Sequence, residues 1–254
     1  MILAALGPFG DAIDFIFNER ESQAGTVRVG GLGEMWELTW THLQLSIAAT
    51  LIATAIAMPL GVWLGHIGRF QFLATSISNI GRAIPALGLV VFFIAFLGVG
   101  FLNVCVALVL LAIPPIITNS YVGIRGVDPE TVDAAAGNGL TGRQVALQVE
   151  LPMALPTIMA GIRISLVSVI ATATIAPLAN VDTLGRPIIS PNVYGTAGQL
   201  AACIVVALVT FGADALFAWF QRAVTPEGIK LAERGRPSGR RLAFLSSKRS
   251  MQTS

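Results

Sequence analysis

Five apolar runs constrain this chain more than any other feature: about 41–65, 72–97, 101–121, 157–179 and 199–220. A helix needs about 20 apolar residues to cross the hydrocarbon of a bilayer, and each run supplies that many. Trp36 and Trp40 flank one end of the first run, and Trp63 with His66 marks the other. Aromatic belts of this kind sit at membrane–water interfaces. At the helical rise, Trp40 to Trp63 covers about 35 Å, enough to cross with some tilt. Composition points the same way. The chain is 54% hydrophobic and only 12% charged, where a globular domain carries about a quarter charged residues. The reading is an all-α polytopic membrane protein with about five transmembrane helices over residues 39–222, an extracytoplasmic segment at 1–38 and a basic tail at 223–254.

Local signals refine this outline. Gly10–Asn18 reads as a short amphipathic helix lying against the outer leaflet, followed by a polar linker, Glu19 to Gly33. Phe70–Ile80 has apolar residues at helical spacing. It should enter the membrane near Arg82 and kink at Pro85. Gly98-Val99-Gly100 is a tight turn, Pro114-Pro115 should break the third span, and Asn180 to Gly198 reads as a polar loop. Cys105 and Cys203 fall inside apolar runs, where each acts as a small hydrophobe. His42 and His66 stand at opposite ends of one span, too far apart to share a metal. Basic residues lie beside spans without aromatic interleaving, which argues against nucleic acid as a partner.

Five spans put the termini on opposite sides, and the basic residues choose between the two orientations. Only Arg20, Arg28 and Arg186 fall on one side; the remaining thirteen Lys and Arg fall on the other. Since Lys and Arg are retained in the cytoplasm, the N-terminus is expected outside and the C-terminus inside.

Between the third and fourth runs lies a polar insert, 125–156, reading RGVDPETVDAAAGNGLTGRQVALQVELPMALP. Asp128-Pro129-Glu130 is a helix start. The Asp oxygen caps free N–H groups, Pro suits the first helical position, and Glu favours the positive end of the dipole. That helix should end at Gly137 or Gly139. Thr141 with Gln144 forms a capping box for a second short helix through about Glu150. Pro152 and Pro156 should stop it and turn the chain back to the bilayer. The insert therefore reads as helix, glycine elbow, helix, exposed to the cytoplasm.

Asp133-Ala134-Ala135, Gly139, Val149, Leu151 and Pro152 match the spacing of the "EAA" loop of ABC importer permeases, with Asp for Glu and Val for Ile. The resemblance continues through 76–89, 113–142 and 149–176. Those runs are similar to the quaternary-amine branch, the osmoprotectant importers of glycine betaine, carnitine and choline. The resemblance implies a type I importer permease bundle whose loop docks on a separate cytoplasmic ATPase. It also implies two permease chains lining one pathway and an external substrate-binding protein. Asp182-Thr183-Leu184-Gly185 departs from the family's Gly-rich turn there. Methionine and sulfonate importers carry the same loop and stay open as alternatives.

The residues themselves are compatible with that role. Ala134, Ala135 and Ala136 let a partner approach the backbone closely, although Ala is also simply a good helix former. No Gly-Lys-Ser/Thr phosphate loop occurs, because Lys230 and Lys248 follow Ile and Ser. No acid–base or nucleophile arrangement is visible either. The chain is expected to hold no cofactor of its own, with ATP and Mg bound by the partner ATPase. Arg163 and Asp214 carry charge at membrane depth. They can pair with each other; alternatively Arg163 reaches lipid phosphates or the insert while Asp214 caps backbone. Asn119 and Tyr121 line a pathway or hydrogen-bond between helices. With 7% aromatics and its tryptophans at the belts, the chain should leave substrate selection to the binding protein. An ATP-independent secondary transporter, which would show broken spans with convergent ion ligands, and an inert scaffold are the rival readings.

Overall fold

The computed structural model describes residues 7–25, 27–68 and 84–224. The stretch 70–80, Arg69, Arg82 and the tail beyond Val224 lie outside the described residues. The chain begins with α1 (Pro8–Phe17), a two-stranded antiparallel hairpin of β1 (Glu19–Glu21) and β2 (Arg28–Gly30), and α2 (Gly31–Ile67). Next come α3 (Ala86–Leu97), α4 (Phe101–Arg125), α5 (Pro129–Gly137) and α6 (Gly142–Val145). A π turn (Ala146–Glu150) joins α6 to α7 (Leu151–Thr172), which tightens into a 3-10 segment, Ala173–Ala179. Two more helices, α8 (Gly185–Ile189) and α9 (Pro191–Val224), complete the described chain. Among the described residues four helical stretches are long and apolar enough to cross a membrane: 31–67, 101–125, 142–179 and 191–224. The short apolar α3 is the described part of the remaining expected span.

The centre of the bundle is a seam of small residues. On α2, Ala49, Ala53, Ala57, Gly61 and Gly65 recur every four residues and are all buried. This stripe lets α4 approach almost to backbone contact. A Cβ added to Gly61 would lie 2.6 Å from Ser120 Cβ, and one on Gly161 of α7 would lie 2.5 Å from Asn119 Cβ. Lipid tails are as apolar as Leu, so close van der Waals packing of this kind has to hold such helices together. Leu108 and Ile116 of α4 and Ala154 and Ile158 of α7 fill the rest of the same core.

A second core sits beyond this seam, where the N-terminal segment meets the start of α9. The expected amphipathic helix forms as α1, but it turns Ala12 and Phe15 inward against Tyr194 and Ala201. The expected polar linker is instead the hairpin followed by the first turns of α2, its register set by Glu19 opposite Gly30. Arg20 donates to Asp14 at 2.6 Å and holds that carboxyl below its ordinary range. This ion pair is complete above the ordinary Asp range and is lost as pH falls through the lowered value.

Two further expectations are corrected. Pro114-Pro115 does not break the third span, because α4 runs unbroken through both to Arg125. The stretch 180–198 is largely helical rather than loop, although α9 carries a sharp kink at Gly195, with φ 64° and ψ −178°. Only glycine takes that conformation without strain. The hairpin grips this kink: Gln23 N–H donates to Val193 O at 3.0 Å. From α2, the Glu34 carboxylate accepts from the Tyr194 hydroxyl at 2.7 Å.

Two glycines of α9 should respond to alanine with opposite signs. Gly195→Ala should destabilise the protein by about 1–3 kcal/mol through backbone strain. Gly212→Ala lies in regular helix with nothing near its Cβ, and should be neutral or stabilising by up to about 1 kcal/mol. Thermal midpoints in detergent distinguish the two; equal shifts would contradict the kink.

Candidate functional site

The insert emerges from the seam at Arg125 and returns to it through α7. Asp128 caps α5, its Oδ1 accepting from Glu130 N–H at 3.0 Å. At the other end the Leu140 N–H reaches Ala135 O at 3.3 Å and the Gly139 N–H reaches Ala136 O at 2.9 Å. That pair of bonds is the Schellman closure, and it requires the positive φ of 88° that Gly139 adopts. Nothing lies within 4 Å of a Cβ placed on Gly139. The glycine is therefore needed for backbone conformation and not for space.

α5 packs on little, with only Thr131, Val132 and Ala135 half-buried. None of its residues is buried among the described residues, and Asp133 and Ala134 are exposed with Ala135 half-buried. A nine-residue helix is too short to persist in water on its own propensity. Its two caps tie it at both ends and leave its sides open.

The second half of the insert departs from expectation. Thr141 and Gln144 form the capping box, with Thr141 N–H donating to Gln144 Oε1 at 2.8 Å. The helix so started does not stop at Pro152 or Pro156. It passes through the π turn, where Leu151 N–H bonds back to Ala146 O, and continues as α7. Widening the turn by one residue moves the acceptor a position back and gives a following proline ring room it lacks in a regular α-helix. Val149, Leu151 and Pro152 lie half-buried at this junction. The elbow at Gly139 thus connects an exposed helix to one continuous rod that includes the fourth span.

Further along that rod, Arg163 meets Asp214 of α9 in a bidentate fork, Nε to Oδ1 and Nη2 to Oδ2 both at 2.5 Å. Two helical turns nearer the insert, Gln221 Nε2 donates to Pro156 O at 3.1 Å. The rungs are seven residues apart on each of two antiparallel helices, so they define one register. Other candidates resolve locally: Asn119 Nδ2 donates to Pro115 O of its own helix at 2.8 Å, and Tyr121 is buried against Leu64. Sequence reasoning did not anticipate a contact between His66 Nδ1 and Glu150 Oε2 at 2.6 Å. Its partners are 84 residues apart, and no spacing signal links them.

A family described as "Binding-protein-dependent transport system inner membrane component" matches residues 57–226. The carnitine transport permease protein OpuCB of Listeria monocytogenes is 33% identical over 198 residues, 78% of this chain and 91% of that protein. The glycine betaine/carnitine/choline transport system permease protein OpuCB of Bacillus subtilis (strain 168) is 35% identical over 199 residues, 78% of this chain and 92% of that protein. Among solved structures, a chain of the MetNI methionine ABC transporter, inward facing, superposes with TM-score 0.68 at 21% identity. The match covers 77% of this chain and 98% of that one, and it shows the common fold.

If the Arg163–Asp214 fork holds α9 to α7, Arg163→Ala and Asp214→Ala should each reduce the monodisperse fraction on size exclusion in detergent. The exchange Arg163→Asp with Asp214→Arg should recover much of it. Two defective single variants and an equally defective exchange would show that the contact contributes nothing to assembly.

Proposed function

The chain belongs to the family of binding-protein-dependent transport system inner membrane components, and on that footing we propose that it forms the translocation pathway of an ATP-driven importer of a quaternary-amine osmolyte such as glycine betaine, carnitine or choline. The relatives named for those substrates, at 33% and 35% identity over most of both chains, support the substrate class. The observation that carries the mechanism is the exposed, doubly capped α5, followed across Gly139 by a rod continuous with the fourth span.

In this reading the insert faces the cytoplasm, as the thirteen-to-three distribution of basic residues favours. α5, with Asp133, Ala134 and Ala135, seats on an ATPase subunit. ATP-driven closure of that partner pushes α5, the elbow passes the push to α6, and α7 tilts as one body. A change of access from one side to the other follows from such rigid movement. ATP and Mg belong to the partner. The lower part of α9 exposes Leu208, Phe211, Leu216 and Trp219, a surface suited to lipid and to a second permease chain. The opposite end of the bundle, with α8 and the hairpin, receives an external substrate-binding protein. Aromatic residues make up 7% of the chain and its tryptophans stand at the belts, and selection among the three osmolytes lies with that protein.

Replacing Gly139 by Val places a β-branched residue at φ 88°, at a cost of about 1–2 kcal/mol in the elbow. The ATPase should then be lost on co-purification while the permease remains folded. Uptake into proteoliposomes should follow ATP hydrolysis for at least one of glycine betaine, carnitine and choline. Uptake of methionine alone, or uptake without ATP, would overturn the assignment.

A further inference from the structure

The rod that continues the insert into the fourth span is weakest at its first turns, and another helix braces it there. The π turn at Ala146–Glu150 replaces regular α-helical bonds, and a π turn is a common place for a helix to bend. Apolar packing secures this place only in part, through the buried Val145 and Ala146 and through Leu151 against the core. A cavity of about 510 Å³ separates α2 from the root of the rod, lined by Val62 and Trp63 on one side and Arg143, Ala146 and Leu147 on the other. What crosses the gap is His66, in the last turn of α2. With its proton on Nδ1, the ring donates to Glu150 Oε2 at 2.6 Å. The Glu150 side chain is only 8% exposed, so the carboxylate depends on this partner rather than on water. The other edge of the ring faces the start of α6, where a Cβ on Gly142 would lie 3.4 Å from Nε2. One imidazole thus bonds one end of the segment 142–150 and stands beside the other.

We propose that His66 and Glu150 are positioning residues for coupling: they set the angle between the root of the insert and α2, and so pass displacement of the insert into the first span as well as the fourth. The inference rests on the reading of 125–156 as the ATPase-coupling insert. A bend in the π turn would otherwise dissipate the push before it reached the bundle. With the brace in place, α2 and α7 move together, and the cavity beside the contact leaves room for that movement.

The test uses the complete complex, permease with ATPase and binding protein, in proteoliposomes. The probe is whichever of glycine betaine, carnitine or choline the unmodified complex transports, and the readout is substrate moved per ATP hydrolysed. His66→Ala and Glu150→Met, which removes the acceptor at similar size, should each lower that ratio by about fivefold or more, the scale of a coupling free energy between sites. The double variant should be no worse than either single one, because one contact is broken once. His66→Gln, which keeps an N–H donor, should restore most of the ratio. A monodisperse peak on size exclusion in detergent serves as the check of folding, and where one single variant fails it the other decides. An unchanged ratio, additive losses, or transport and hydrolysis falling in equal proportion would overturn the proposal. Absence of ATP-dependent uptake by the unmodified complex would instead remove the coupling reading beneath it.

Discussion

Close backbone approach between α2, α4 and α7 is the constraint on which the other features depend. In lipid, burial of apolar surface distinguishes little between a packed helix and a dispersed one, so contact distance decides. The four-residue stripe from Ala49 to Gly65 and the facing Gly161 let the helices come near enough for side chains to reach across. Ser165 Oγ then donates to Ala112 O at 2.9 Å, and His42 Nε2 meets Ile170 O at 2.9 Å. Each of these buried polar groups needs a partner at membrane depth, and the seam places one within reach.

Against this stiff centre the periphery is held by few, directional contacts. α9 is 11% buried over its most apolar window where α4 is 56% buried. It is tied to α7 by two polar rungs together with limited apolar packing around Phe217. The insert has the same character: α5 is capped at both ends yet buried nowhere along its length among the described residues. Parts attached in this way can change angle without disturbing the core, whereas parts within the seam move as a block.

Much of this was legible in the sequence because local chemistry decided it. Asp128-Pro129, the Thr141–Gln144 box and Gly139 act within a few residues, and each took the structure its spacing predicted. The prolines did not follow local rules. Pro114, Pro115, Pro152 and Pro156 read as breaks, but tertiary packing and one π turn accommodate them within continuous helices. Propensity gives a proline a cost, and whether neighbouring helices offset it is settled elsewhere in the chain. The His66–Glu150 and Glu34–Tyr194 contacts, 84 and 160 residues apart, were beyond any pattern of spacing. The Arg163–Asp214 fork was one of two arrangements that charge and depth allowed, and only the antiparallel register of α7 and α9 selects it.

The family match begins at residue 57, which leaves α1, the hairpin and the first half of α2 without a counterpart in it. These elements are nevertheless built into the same mechanical scheme. They meet the last span at Gly195, the one position where its helix cannot run straight, and hold it by a backbone bond on one side and a tyrosine on the other. A hinge left free there would let the outer end of α9 drift independently of the two rungs near its inner end. With both ends tied, α9 is fixed to α7 near the insert and to the N-terminal segment at the opposite end of the bundle. The N-terminal segment is therefore packed into the same bundle, through Phe15 against Tyr194 and Ala201, rather than standing apart as a separate domain.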